Sequence, residues 1–201
     1  MTPSKAELRR RLRSACRALA RSALQRRSRA ICECVEALPL FEHSRALGLY
    51  SPMLERGEVD VRPLFRRACA VGKRVYFPFI DRLGGRVDQG FRRVDDLGEL
   101  APRGFPFAEP DPCAVRARRG DLDLLIVPAL AATAAGDRLG RGSAFYDAVL
   151  PDFWPPARSL LVIFSFQLLT ELPVEPHDRR CDLVVTDQHL LDPRGVCDEM
   201  I

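Results

Sequence analysis

Apolar residues recur at three- and four-residue intervals at the start of the chain. Leu8, Leu12, Cys16, Leu19 and Ala23 share one side of a helix, and Ile31, Val35 and Leu38 repeat the pattern over Arg26 to Leu38. That spacing makes an apolar stripe that needs a core to cover it. Pro39 is expected to stop the second helix. Beyond it the rhythm changes to short, nearly continuous apolar runs separated by helical patterns. Ala46 to Tyr50 reads as a strand, Val61 to Val71 as a helix closed by Gly72, and Arg74 to Ile80 as a second strand. Asp121 to Val127, Ser159 to Phe166 and Cys181 to Asp187 read as further strands, with a short helix over Ser143 to Leu150. Runs of Leu, Ile and Val without polar alternation suit parallel strands covered on both faces. The expectation is one α/β domain over 1–201: a three-layer α/β/α sandwich, Rossmann-like, with a mostly parallel sheet and N-terminal helices over 1–38. Residues 81–120, with Gly84-Gly85 and several prolines, predict an edge hairpin and a long surface loop.

Composition narrows the class. The 201 residues suffice for one core, and 47% hydrophobic and 29% charged residues are ordinary for a folded domain. No apolar run approaches the roughly 20 residues that cross a bilayer, and no apolar signal core stands at the N-terminus. Seven cysteines without a Cys-x-x-Cys pair suit reduced, mostly buried thiols, so a cytoplasmic location is expected. Cys32 and Cys34 have no nearby His or second Cys pair, which speaks against zinc. The first thirty residues are crowded with arginine, which fits a targeting segment, an arm for nucleic acid, or the solvated face of an amphipathic helix. The apolar stripe favours the last.

Open α/β sheets bind ligands beyond the carboxyl ends of their strands, which directs attention to the loops after Tyr50, Val127 and Phe166. The second contains Arg138-Leu-Gly140-Arg141-Gly142-Ser143-Ala144-Phe145-Tyr146-Asp147. Glycines around an arginine let backbone approach an anion, the following helix presents free N–H groups, and Arg138 and Arg141 offer guanidinium forks for phosphate or carboxylate. A plain glycine turn before a helix would read the same way. It is neither a Walker loop nor a dinucleotide fingerprint. The third contains Leu172-Pro-Val-Glu175-Pro-His177-Asp178, whose carboxylate would meet Asp147 if the loops converge; two carboxylates beside phosphate groups suit Mg²⁺. A rigid turn is the competing reading, with His177 as a hydrogen-bonded turn residue.

Taken in order, Lys5-Ala-Glu-Leu-Arg9, Gly57-Glu58-Val-Asp60, Asp123-Leu-Leu-Ile-Val-Pro128, Arg138 to Asp147 and Leu172 to Asp178 resemble the 5-formyltetrahydrofolate cyclo-ligase family, also called methenyltetrahydrofolate synthetase, from about Lys5 to Thr186. The resemblance implies an enzyme that uses ATP and Mg²⁺ to close 5-formyltetrahydrofolate into 5,10-methenyltetrahydrofolate, releasing ADP and phosphate. It implies ATP contacts from Lys5, Arg9, Arg138, Leu139, Gly140, Arg141, Gly142, Ser143, Ala144, Phe145 and Tyr146. It implies folate contacts from Glu58 and the 141–145 loop (Arg141, Gly142, Ser143, Ala144, Phe145), catalytic roles for Arg138, Arg141 and Tyr146, and metal binding by Asp147 and Asp178.

The chain departs from that pattern where the family usually has Gly-Gly-Gly or Gly-Lys-Gly followed by Tyr-Tyr-Asp. Here Ser143 and Ala144 add Cβ atoms and Phe145 lacks a phenol hydroxyl. It also lacks the family's Phe-Asp at Ala132-Thr133 and carries two more residues between Tyr50 and Glu58. The Ser143 and Ala144 substitutions would suit one alternative, a diverged homologue that binds folate or nucleotide with little turnover, and the basic N-terminal helices keep a second in view, an RNA-associated protein. The expected partners are 5-formyltetrahydrofolate and ATP, with neither membrane nor nucleic acid, and a monomer is favoured.

Overall fold

The structure is a computed structural model. It describes residues 3–142, 144–175, 178–193 and 196–199, with backbone alone for Leu83 and 196–199. In chain order the elements are α1 (Lys5–Arg17), α2 (Arg21–Ala37), α3 (Pro39–His43), β1 (Ala46–Gly48), α4 (Arg62–Ala70), β2 (Arg74–Leu83), β3 (Arg86–Arg93), β4 (Ala101–Pro102), β5 (Ala108–Glu109), β6 (Leu124–Pro128), β7 (Ala131–Ala132), β8 (Arg138–Leu139), α5 (Phe145–Phe153), β9 (Arg158–Val162), β10 (Leu183–Val185), β11 (His189–Asp192) and β12 (Val196–Glu199).

Among the described residues, the main sheet runs β12-β11-β10-β9-β6-β1-β2-β3. The centre, β10 to β2, is parallel, while β3 and the β11–β12 hairpin add antiparallel edges. The alternation of a strand sorts its side chains between two cores. Leu124 and Ile126 of β6, with Leu47, Val75 and Phe77, face α2 and α4 and pack on Ile31, Val35, Leu64 and Phe65. Leu125 and Val127, with Ala46, Tyr76 and Leu161, face α5 and pack on Val149, Leu150 and Phe153. The result is the expected three-layer α/β/α sandwich around a mostly parallel sheet.

Several boundaries differ from the sequence reading. The second helix starts at Arg21 rather than Arg26, and Pro39, which ends it, also opens the short α3. Proline suits a first helical turn because its missing N–H would be unpaired there anyway. The helix expected from Ser143 begins at Phe145, since Ala144 caps it with left-handed backbone, φ 54°. The strand expected over Ser159 to Phe166 runs from Arg158 to Val162 and is followed by a single 3-10 turn over Ser165–Gln167. The edge hairpin predicted within 81–120 begins earlier, pairing Tyr76 with Arg93 through to Leu83 with Arg86. The β11–β12 hairpin was not foreseen at all.

Helix α1 lies apart from the three layers. Its stripe of Leu8, Leu12 and Cys16 packs on Leu130, Ala131 and Leu139, the hairpin β7–β8 that follows β6. The N-terminal helix is thereby fixed beside the sheet's carboxyl ends. Ser4 caps it in a box with Glu7.

Candidate active site

The chain leaves β1 toward β2 on one side, and the strands β6, β9 and β10 lie on the other. Adjacent loops therefore diverge beyond β1 and β6, the switch point at which open sheets make their crevice. A cleft of about 310 Å³ opens there. Its walls come from the loop after β1 (Tyr50, Ser51, Met53, Glu58), the loop after β6 (Pro128 and Arg138 to Asp147), the loop after β9 (Glu175, Asp178) and helix α1 (Lys5, Arg9). All three loops singled out from the sequence converge.

Each charged side chain of the cleft is held by another element. Lys5 Nζ lies 2.8 Å from Asp178 Oδ2 and 3.2 Å from Glu175 Oε1. Burial pulls the ammonium's pKa down, but hydrogen bonds to the two carboxylates outweigh it and leave the value raised. Arg9 Nε donates to the Gly140 carbonyl at 3.0 Å, and a terminal nitrogen of Arg13 donates to the Arg141 carbonyl at 2.6 Å. Arg138 donates to Asp147 Oδ1 and to the Arg179 carbonyl. Arg141 Nε is 2.5 Å from Glu58 Oε1, while Glu58 Oε2 accepts from the Met53 N–H at 2.8 Å. Among the described residues the lining is self-neutralised, with four cations (Lys5, Arg9, Arg138, Arg141) against four carboxylates (Glu58, Asp147, Glu175, Asp178).

Glu58 is the most buried of these carboxylates, with its side chain 4% exposed. Burial raises its pKa above the ordinary carboxylate value, and Arg141 opposes that rise. Its position follows from Gly57, whose φ of 67° brings backbone against α1; a Cβ there would stand 2.3 Å from the Cys16 carbonyl oxygen. The required left-handed backbone and the close approach both call for glycine.

The N-terminus of α5, whose first N–H groups have no intrahelical acceptors, lies at the cleft, with Ala144, Phe145, Tyr146 and Asp147 in its lining. Tyr146 Oη is buried with no hydrogen-bond partner among the described residues. Burial, and then the charge of Glu58, push its pKa well up, so the phenol stays protonated. Ser143 and His177 lie outside the described residues. Every other candidate from the sequence, Lys5, Arg9, Glu58, Arg138, Leu139, Gly140, Arg141, Gly142, Ala144, Phe145, Tyr146, Asp147 and Asp178, lines this one cleft.

Sequence reasoning missed the apolar wall of Tyr50, Met53, Pro78 and Phe107. Tyr50 is fixed by a 2.7 Å hydrogen bond to the Val59 carbonyl. Phe107 sits in the stretch read as surface loop, beside Phe145 with ring centroids 6.3 Å apart. Glu109, two residues on, ties that stretch to the sheet by accepting from the Ile80 N–H at 2.7 Å. Nothing local in the sequence marks Phe107, because the contact that positions it spans 38 residues.

Residues 1–187 match the 5-formyltetrahydrofolate cyclo-ligase family. The chain belongs to that family. Relatives carry the same name: the 5-formyltetrahydrofolate cyclo-ligase of Mycolicibacterium smegmatis is 40% identical over 101 residues, about half of each chain at 49%. That of Escherichia coli K12 is 34% identical over 134 residues, covering 65% of this chain and 72% of the relative. Among solved structures, the 5,10-methenyltetrahydrofolate synthetase of Aquifex aeolicus superposes with a TM-score of 0.82 at 28% identity, over 98% of this chain and 96% of that one. A synthetase from Mycoplasma pneumoniae shares the fold, with a TM-score of 0.72 at 19% identity over 92% of this chain and all of that one. The family is one of ligase enzymes. Among the described residues no helix is long and apolar enough to cross a membrane.

Proposed function

We propose that this chain is a working 5-formyltetrahydrofolate cyclo-ligase, consuming ATP to form 5,10-methenyltetrahydrofolate with release of ADP and phosphate. The observation that carries the reading is the convergence of Lys5, Arg9, Glu58, Arg138, Arg141, Asp147 and Asp178, scattered over 174 residues of sequence, on one cleft. An N-formyl group is an amide, with a poorly electrophilic carbon and an oxygen that leaves poorly. Transfer of the terminal phosphoryl group of ATP to that oxygen corrects both faults, after which N10 attacks the carbon and phosphate departs. Such a sequence needs alignment and charge neutralisation more than a nucleophilic side chain.

The residues suit those tasks. In this reading Lys5, Arg9 and Arg138, with the α5 N-terminus, form the phosphate side, and Arg141 pairs with Glu58. Glu58 and the wall of Tyr50, Met53, Pro78 and Phe107 form a half-apolar site for a flat pterin, whose N–H donors the carboxylate would accept. Among the described residues Glu58 Oε2 accepts from the Met53 N–H and Oε1 faces Arg141, and a carboxylate oxygen can accept more than one hydrogen bond. The Tyr146 hydroxyl supplies a donor for an oxygen of either substrate.

Asp147 and Asp178 fit Mg²⁺ by the chemistry of the donor set. Among the described residues there is no group of three or more metal-binding side chains. A site with two carboxylates therefore leaves positions for water and phosphate oxygens, the usual coordination of Mg²⁺ and not of a fully caged metal. When bound, the ion would neutralise charge on the polyphosphate. Lys5 and Arg138 hold the two carboxylates in place, and would be available to phosphate with the ion bound. ADP release from ATP that requires 5-formyltetrahydrofolate would support this reading. ATP hydrolysis indifferent to folate, or none, would overturn it.

A further inference from the structure

The cleft and its surroundings differ in charge. Both substrates of the proposed reaction are anions, ATP strongly so, yet the cleft lining carries four cations against four carboxylates and is formally neutral. A neutral site binds charge by local pairing and attracts it weakly from a distance. The long-range field must come from elsewhere on the molecule.

It is concentrated at the N-terminus. Residues 1–30 hold ten basic side chains and one acid, Glu7, a net charge of +9, which leaves −5 for the rest of a chain whose total is +4. The general preference of this chain for arginine over lysine does not explain that division, because it arises as much from the scarcity of acids as from the number of bases. On α1 the cations also have an order. Lys5, Arg9, Arg13 and Arg17 recur at every fourth position, which aligns them on one face over about 18 Å of helix. Lys5 stands in the cleft on Asp178, Arg9 reaches Gly140, Arg13 reaches Arg141 at the rim, and Arg17 is exposed. Arg10 lies exposed on the neighbouring stripe, and Arg21 opens α2. Like charges four apart destabilise a helix by a few tenths of a kcal/mol per pair. The acid that would offset them, Glu7, is held by Ser4 in the capping box.

We infer that this row of arginines steers the anionic substrates, ATP above all, along α1 into a cleft that is itself neutral. The inference rests on the proposed reading of the site. Its reach is set by screening: Arg17 lies two turns beyond Arg9, about 12 Å, which is comparable to the Debye length of about 10 Å at 0.1 M salt and well inside the roughly 30 Å at 0.01 M. Arg10 and Arg17 should therefore act on association at low salt and scarcely at all at high salt. They touch no ligand and should not affect dissociation. Exposed large apolar side chains are absent from α1 and α2 among the described residues, so the face offers charge without the apolar anchor that a lipid-surface helix uses.

The test is stopped-flow association of a fluorescent ATP analogue with the full chain and with the double variant Arg10→Gln/Arg17→Gln, from about 0.01 to 0.3 M salt. The account predicts an association rate constant several-fold lower for the variant at low salt, convergence at high salt, and an unchanged dissociation rate. Thermal stability should be equal or higher in the variant, since a like-charged pair is relieved. Binding whose association rate ignores both salt and substitution would overturn steering and leave the site assignment standing. An analogue that binds at no salt concentration would overturn the site assignment, and the inference with it. A lower melting temperature with equal loss at every salt concentration would make the two arginines structural and overturn steering.

Discussion

Arg141 Nε approaches Glu58 Oε1 to 2.5 Å, joining the turn after β1 to the loop after β6 across the switch point of the sheet. In the proposed reading this buried pair joins the pterin-facing carboxylate to the loop that carries the phosphate-facing groups, so folate recognition would be coupled to that loop.

Glu58→Gln should weaken folate binding about tenfold or more while the affinity for an ATP analogue changes little. Because Arg141 would lose its carboxylate partner in a largely buried place, a stability loss of up to about 3 kcal/mol is also expected. Calorimetry with each ligand, at a temperature where the variant is fully folded, separates recognition from folding. Equal losses for both ligands would indicate damage to the fold.

The raised pKa of Glu58 has a signed consequence. Between the ordinary carboxylate value and the folded value, the folded state keeps a proton that the unfolded chain has released. This contribution to stability is complete below the ordinary value and is lost as pH rises through the folded one. Thermal unfolding followed from about pH 4 upward should show that loss in the parent chain and a flatter profile in Glu58→Gln. Identical profiles would place the titration elsewhere.

Ala144 and Gly57 both have positive φ, 54° and 67°, but with opposite expectations. Ala144 bears a Cβ in left-handed backbone, so Ala144→Gly should stabilise by up to about 1 kcal/mol, less the entropy glycine adds to the unfolded chain. Gly57→Ala combines the same strain with a Cβ 2.3 Å from a backbone oxygen, and should cost several times more. Denaturant midpoints of the two variants test the contrast.

Much of this fold was legible because its signals are local. The unbroken apolar runs at Leu124 to Val127 and Leu160 to Val162 report strands covered on both faces, and the stripe of Leu8, Leu12 and Cys16 reports a docked helix. The charged lining of the cleft was readable through its motifs. Tyr50, Met53, Pro78 and Phe107 were not, because an apolar residue that lines a cleft has the same local pattern as one that fills a core. The start of α5 was misplaced by two residues because Ala144 adopts backbone that its side chain does not announce.

Asp147→Asn removes a charge and keeps the shape. It should raise the Mg²⁺ concentration needed for half-maximal activity about tenfold or more, and leave Arg138 without its carboxylate. Full turnover at limiting Mg²⁺ would remove Asp147 from the metal site.

Lys5→Ala should raise the KM for ATP by about tenfold, as expected for loss of a charge-assisted contact, with little change in the KM for folate. An unchanged value would return Lys5 to a structural tether between α1 and the loop bearing Asp178 and Glu175.

The central claim is that the converged cleft performs the ring closure despite Ala144 and Phe145. The most direct measurement incubates the purified chain with ATP, Mg²⁺ and 5-formyltetrahydrofolate and follows 5,10-methenyltetrahydrofolate and ADP together. The account predicts the two products in equal amounts, each dependent on both substrates. Tight binding of ATP and folate with no methenyl product would contradict it and identify the chain as a binding homologue without turnover.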